Sequence, residues 1–173
     1  MKTISLSRGM VTQVDDADFD WLNQWKWNAQ RSKRTWHAER KDSSSGKERT
    51  VLMHRLILNA RAGMQVDHRD GDGLNNQRFN LREATQTQNA RNQTRKMVGA
   101  TSKYKGVHWH KNHNRWSACI AIGPDWIASR RGLKQVTLGD FSTEEAAARA
   151  YDAAAKEHFG EFAHLNFPER KTE

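Results

Sequence analysis

The chain has 173 residues, 36% hydrophobic and 28% charged, enough for one ordinary domain or two small ones. Seven tryptophans argue against disorder, and no apolar run approaches the roughly eighteen residues of a membrane helix, so no membrane partner is expected. Met1-Lys2-Thr3 leads into no signal peptide, which points to an intracellular place; the single cysteine, Cys119, excludes an intramolecular disulfide, and without a CxxC pair no structural zinc is expected.

A net charge of +9 favours a polyanionic partner. Residues 99–141 carry seven Lys/Arg against two Asp/Glu, a net of +5, whereas residues 142–173 carry four against seven, a net of −3. The basic segment is therefore the one expected to face phosphates.

In chain order, Val14 to Leu22 places acidic residues where a helix N-terminus welcomes them, with Phe19 and Leu22 three apart. Trp25 and Trp27 alternate with polar neighbours, as do Trp36 and Ala38, across the basic turn 31–34; this predicts a short hairpin whose tryptophans serve the core. Ser43-Ser44-Ser45-Gly46 reads as a loop or second turn. Val66 to Gly73 reads as a strand ending in a glycine-rich turn, and Gln88 to Asn92 as part of a helix. Met97 to Ser102 is a plausible linker. Beyond it come short strands at Tyr104–Trp109, Trp116–Ala121 and Gln135–Leu138. An alanine-rich helix follows, with a capping box predicted at Ser142 and Glu145 and a stop at Gly160. Ala147, Ala150, Tyr151 and Ala154 share one of its faces, where small side chains let a helix lie close on a sheet.

The densest chemistry lies in residues 51–95. Phosphodiester hydrolysis needs a base to activate water, a cation for the developing charge, and a proton for the leaving group. His68 can be the base, and Asp67 with an asparagine oxygen can hold one divalent cation, Mg²⁺ or Mn²⁺, both of which prefer oxygen ligands. Asp70 and Asp72 are read as turn residues, because Asp-Gly is a favoured hairpin corner. An EF-hand starting at Asp70 fails, with Leu74, Asn75 and Leu81 where an acid, glycine and glutamate are needed. His54 is read as a packed helix residue.

Asp67-His68, Asn80 and Asn89, with Met53 to Ile57, Asn75-Asn76 and Asn80-Leu81-Arg82 around them, resemble the His-Asn-Asn form of the HNH endonuclease motif. The resemblance implies a ββα-metal module, a hairpin and helix gripping one divalent cation. By position it makes His68 the general base, Asp67 a metal ligand, Asn80 a brace for the loop that orients His68, and Asn89 the helix ligand. Asn92, three residues on along the same helix face, is the alternative ligand. Arg82 and Arg91 are close enough in sequence to reach phosphate oxygens.

A second resemblance runs through Tyr104-Lys105-Gly106-Val107, Arg115 to Ala118, Leu138 to Phe141, Glu145 to Ala147, Ala150 to Asp152, Ala154-Ala155 and Leu165 to Phe167. It is similar to the DNA-binding domain of plant ethylene-response (Apetala-type) transcription factors, which also occurs joined to mobile HNH nucleases. That family lays a three-stranded sheet in the major groove, which is wide enough for strands, and packs one helix behind it. Matching positions nominate Lys105, His108, His110, Arg115, Gln135 and Thr137 as groove-facing. Trp109 lies against sugar or backbone, or else in the core. Trp116, Ala118, Phe141, Tyr151 and Phe167 are read as core. Several family arginines are His108, His110, Gln135 and Thr137 here, and an insertion around Gly123 to Trp126 lengthens one hairpin, so the plant target sequence does not transfer.

The expectation is an α+β protein: a ββα-metal nuclease module plus a separate three-stranded antiparallel sheet packed on one helix. Its parts are accessory strands at 1–50, the nuclease motif at 51–96, a linker at 97–102 and the DNA reader at 103–168. The expected activity is metal-dependent nicking or cleavage of double-stranded DNA by a homing-type, mobile-element enzyme, with a monomer favoured, acting in a bacterial host's cytoplasm if phage-borne. The alternative is a transcriptional regulator whose HNH module is inactive. An RNA-binding adaptor fits the charge, but no RNA motif supports it.

Overall fold

A computed structural model describes residues 1–32, 35–92, 100–123 and 134–168. The chain divides into two compact units, 1–85 and 86–173.

The first unit opens on an antiparallel pair, β1 (Lys2–Ser5) with β2 (Val11–Val14), joined through a 3₁₀ turn. Alternation in β2 buries Thr12 and Val14 and leaves Val11 and Gln13 exposed, the period of a half-buried strand. Helix α1 (Asp16–Asn23) follows where the acidic run predicts it. Its buried Asp18 does more than meet the helix dipole, because Arg78 donates to it through Nε and Nη2, both at 2.7 Å. The predicted hairpin is present as β3 (Asn28–Arg31) and β4 (Trp36–Asp42), with Ala29 opposite Ala38; β5 (Arg49–Leu52) adds a third antiparallel strand past the 43–46 turn. Trp25 and Trp27 precede β3 rather than alternating within it. Trp27 is buried and its Nε1 donates to Leu22 O at 2.9 Å. Helix α2 (Met53–Leu58) ends on Asn59 in the left-handed conformation, and β6 (Gln65–His68) pairs antiparallel with β7 (Leu81–Ala84).

One core serves the whole unit. Ile4, Val14, Leu22, Trp27 and Ala38 pack with Met53, Ile57 and Leu81. Residues 1–50 supply seven of the ten buried residues of that core.

The second unit begins with α3 (Gln86–Asn92), so β6, β7 and α3 follow in the chain as the expected ββα order. The 97–102 linker lies mostly outside the described residues, as does most of the 123–126 insertion. Strands β8 (Val107–His110), β9 (Arg115–Ile122) and β10 (Lys134–Phe141) form one antiparallel sheet in the order β10-β9-β8, and α4 (Glu144–Phe159) packs on it. Ala147, Ala148, Ala154 and Ala155 are buried at that contact with Tyr151, and the methyl-sized side chains let α4 lie close to Ala118 and Ile120. The expected core residues Trp116, Ala118, Phe141, Tyr151 and Phe167 all belong to it. Ala150 is only half-buried, and Asp152 takes a buried place instead.

The cap of α4 differs from the expectation by one residue. Thr143, extended at φ −123°, is the N-cap, and its hydroxyl accepts from Ala146 N at 3.1 Å. That puts Glu144 and Glu145 in the first turn, where the orphan amides and the helix dipole favour carboxylates. Gly160 stops the helix as predicted, at φ +53°. No helix among the described residues is long and apolar enough to cross a membrane.

Candidate nuclease site and nucleic-acid interface

His68 ends β6 and is buried, 5% exposed. Its surroundings fix its tautomer. Thr12 on β2 donates its hydroxyl proton to Leu74 O at 2.7 Å, so its oxygen is left to accept from Asn76 Nδ2, also at 2.7 Å. That orients the fully buried Asn76 amide with Oδ1 toward His68 Nε2, 3.2 Å away. An amide oxygen only accepts, so Nε2 carries the proton and the basic lone pair sits on Nδ1. Burial is the largest influence on the His68 pKa and lowers it; the bond to Asn76 and the charges of Asp70, Asp67 and Asp72 oppose that shift. The neutral ring is the form a base requires.

Asp67 is also buried, 4% exposed, and stands opposite Arg82 in the β6–β7 register. Arg82 Nε and Nη2 both donate to Asp67 Oδ2, at 2.8 and 2.6 Å. Arg82 was expected to reach phosphate. It is instead 7% exposed with its guanidinium on a buried carboxylate, the partner that offsets the cost of removing its charge from water.

Asn80 cross-links the loop between the strands. Its Nδ2 donates to Asp70 Oδ1 and Asn75 O, at 2.9 and 2.8 Å, and its Oδ1 accepts from Asp70 N at 3.1 Å. Asp70 and Asp72 serve that same turn, accepting from Asp72 N and Leu74 N. Asn89 and Asn92 both lie on α3, in the second unit. Arg91, on the same helix, donates to Gly123 O at 3.0 Å and stacks over Phe159, 4.6 Å from its centroid, so its guanidinium packs on protein.

In the sequence Asn76 stands only as part of the motif and Thr12 carries no signal; the fold alone joins them to His68. His37 and His54 were missed as neighbours of His68. Their ring centroids lie 5.8 and 5.1 Å from its own.

In the second unit, directly opposed residues share a face, and faces alternate along each strand. The register pairs His108 with Ser117, His110 with Arg115, Gln135 with Ala121 and Thr137 with Cys119. These nominated residues therefore lie on the sheet face opposite α4, and His108, Arg115, Gln135 and Thr137 are exposed. Trp109 faces the other way: it stands opposite Trp116, their rings edge-on at 5.1 Å. Lys105 precedes β8, and its ammonium donates to Arg91 O.

Comparison with known proteins follows this division of chemistry. Residues 51–91 match the HNH endonuclease family, whose members generally use a divalent metal, and residues 102–161 match the AP2 domain family. An AP2-like ethylene-responsive transcription factor of Arabidopsis thaliana is 41% identical over 70 residues, 39% of this chain and 23% of the relative. A second from the same plant is 47% identical over 66 residues, and one from Oryza sativa subsp. japonica is 44% identical over 66; each match takes in 38% of this chain, and 10% and 9% of those relatives respectively. The chain spans less than a quarter of the length of these relatives. The AP2 match supports DNA binding, and the chain carries both an HNH endonuclease domain and an AP2 DNA-binding domain.

Proposed function

We propose that this protein is a metal-dependent DNA endonuclease of mobile-element type, which nicks or cuts duplex DNA and is targeted by its AP2 domain. The observation that carries this reading is the relay Thr12–Asn76–His68, which holds a buried imidazole in one tautomer with its lone pair on Nδ1. A buried histidine ordinarily has its N–H satisfied; this bond also leaves Nδ1 as the basic nitrogen, the state in which a general base takes a proton.

In this mechanism His68 Nδ1 takes the proton of the attacking water, and Asn76 holds the ring as the imidazolium forms. Asp67, fixed by Arg82, offers carboxylate oxygen of the kind Mg²⁺ and Mn²⁺ prefer, and the motif assigns the asparagine amide ligand to Asn89, with Asn92 the alternative. When bound, that cation stabilises charge on the phosphate and the leaving oxygen. Asn80 keeps the loop that carries Asn75 and Asn76 in place. The exposed sheet face of His108, His110, Arg115, Gln135 and Thr137 enters the major groove.

The test is supercoiled plasmid with Mg²⁺ or Mn²⁺ against EDTA. His68→Ala should retain DNA binding and lose cleavage by roughly 10²–10⁴-fold. Cleavage as fast as the parent's would overturn the mechanism. A larger loss at Asn92→Ala than at Asn89→Ala would move the ligand. The relatives are named as transcription factors, so DNA binding without metal-dependent cleavage would favour the regulator reading instead.

A further inference from the structure

Three histidines from separate elements converge in the first unit: His37 on β4, His54 on α2 and His68 on β6. One ring nitrogen of each lies within 4.8 Å of the others. Their ring centroids are 5.3 Å (His37–His54), 5.8 Å (His37–His68) and 5.1 Å (His54–His68) apart. Three imidazoles on one tetrahedral zinc, with Zn–N of about 2.0–2.1 Å, place their ring centroids about 5 Å apart and their ligand nitrogens about 3.4 Å apart. The rings thus already have the spacing of a three-histidine centre, and the nitrogens need close by up to about 1.4 Å.

Two further observations point to a ligand. His54 is 6% exposed, and its Nδ1 is buried without a hydrogen-bond partner; the same holds for Nδ1 of the half-buried His37. Buried polar nitrogens are ordinarily satisfied. The His37 ring also packs on Gly73, where a Cβ would stand 2.3 Å from Trp36 O and 2.6 Å from His37 Nδ1. The charge of Arg55 bears on His54, while Asp67, Asp70 and Asp72 bear on His68 with the opposite sign.

We propose that His37, His54 and His68 form a three-nitrogen site for a borderline transition-metal cation, Zn²⁺ above all, and that filling it switches the nuclease off. The site differs in chemistry from the oxygen ligands assigned to the activating cation: imidazole suits zinc, carboxylate and amide oxygen suit magnesium. The expected absence of zinc rested on cysteine spacing, which is blind to histidines gathered from three elements. The second half of the proposal rests on His68 being the base. A neutral imidazole has one basic lone pair. Whichever nitrogen the metal takes, the other carries the proton, and the ring can no longer accept one from water.

The experiment uses the full chain, stripped with EDTA and titrated with Co²⁺ in excess Mg²⁺. The visible bands of tetrahedral Co²⁺ should rise to one equivalent, resist Mg²⁺ and bleach on adding Zn²⁺. His37→Asn and His54→Asn should each weaken Co²⁺ binding by more than about tenfold. If His54→Asn does not fold, as judged by circular dichroism, the half-buried His37→Asn decides. Absence of the bands, or an affinity unchanged in the folded variants, overturns the site. Zn²⁺ added at fixed Mg²⁺ should inhibit plasmid cleavage by the parent; bound Zn²⁺ with undiminished cleavage overturns the switch. If the parent cuts under no metal yet still binds Co²⁺ at one equivalent, the nuclease reading has failed and the site stands.

Discussion

At the residue scale, the pair Asp67–Arg82 carries the sharpest stability consequence. Both side chains are out of solvent, so Arg82→Met leaves a carboxylate buried without its main partner, at a cost of about 3–5 kcal/mol. Urea denaturation should show the loss, and adding Asp67→Leu should restore much of it. A drop below about 1 kcal/mol would mean that the pair behaves as though solvated. His164 supplies a pH dependence in the second unit. Burial first, then the charge of Lys105, hold its pKa below the ordinary value, with Asp152 opposing. As pH falls below about 6.5 the unfolded chain takes up this proton before the folded one does. Stability is therefore full above that point and declines beneath it. His164→Gln should flatten the decline in melting temperature between about pH 6.5 and 5; slopes that coincide with the parent's would remove His164 from the account.

At the element scale, Gly106 shows how closely α4 is seated. A Cβ there would stand 2.0 Å from Tyr151 Cδ2 and 2.8 Å from Cys119 O, at a φ of +77°. Gly160 has a positive φ too, but open space around it. Gly106→Ala should therefore cost about 2–5 kcal/mol, combining strain with overpacking, and Gly160→Ala only about 1–2. Equal thermal shifts for the two would show that the helix yields. Strong local signals made several elements legible in the sequence: the acidic start of α1, the alternation of Trp36 and Ala38 in β4, and the alanine stripe and glycine stop of α4. The cap moved from Ser142 to Thr143 because both are good caps, and only the backbone geometry chooses between them. Strands β1 and β2 were not predicted, since four residues of alternation barely rise above chance. The Asp67-His68 and asparagine series stands out by its resemblance to the HNH motif, whereas the neighbours of His68 come from β2, β4 and α2, separations that no local period encodes. The burial of Arg82 was not legible, because an arginine is usually solvated and its burial depends on a partner across a hairpin.

At the scale of the whole molecule, charge and chemistry are divided along the chain. Residues 99–141 hold the net of +5, and their described sheet presents Arg115 on the face opposite α4. Affinity of the full chain for duplex DNA should fall steeply with salt as counterions are released. Arg115→Ala should lower the slope of log K against log salt by about one if it meets a phosphate. If it meets a guanine edge, it should instead relax preference at one base pair, at about 1–3 kcal/mol. Gel shifts at several salt concentrations separate the two, and a variant matching the parent in both would place Arg115 outside the interface. The relay through Thr12 has a consequence for anyone who would borrow this HNH domain. The recognisable letters fall within residues 51–91, yet the hydroxyl that sets the histidine's tautomer belongs to the N-terminal hairpin. Grafted alone into another protein, that stretch would keep Asn76 but lose the hydroxyl that orients its amide, and would leave most of the hydrophobic interior behind. The smallest transplantable form of this domain begins at β1.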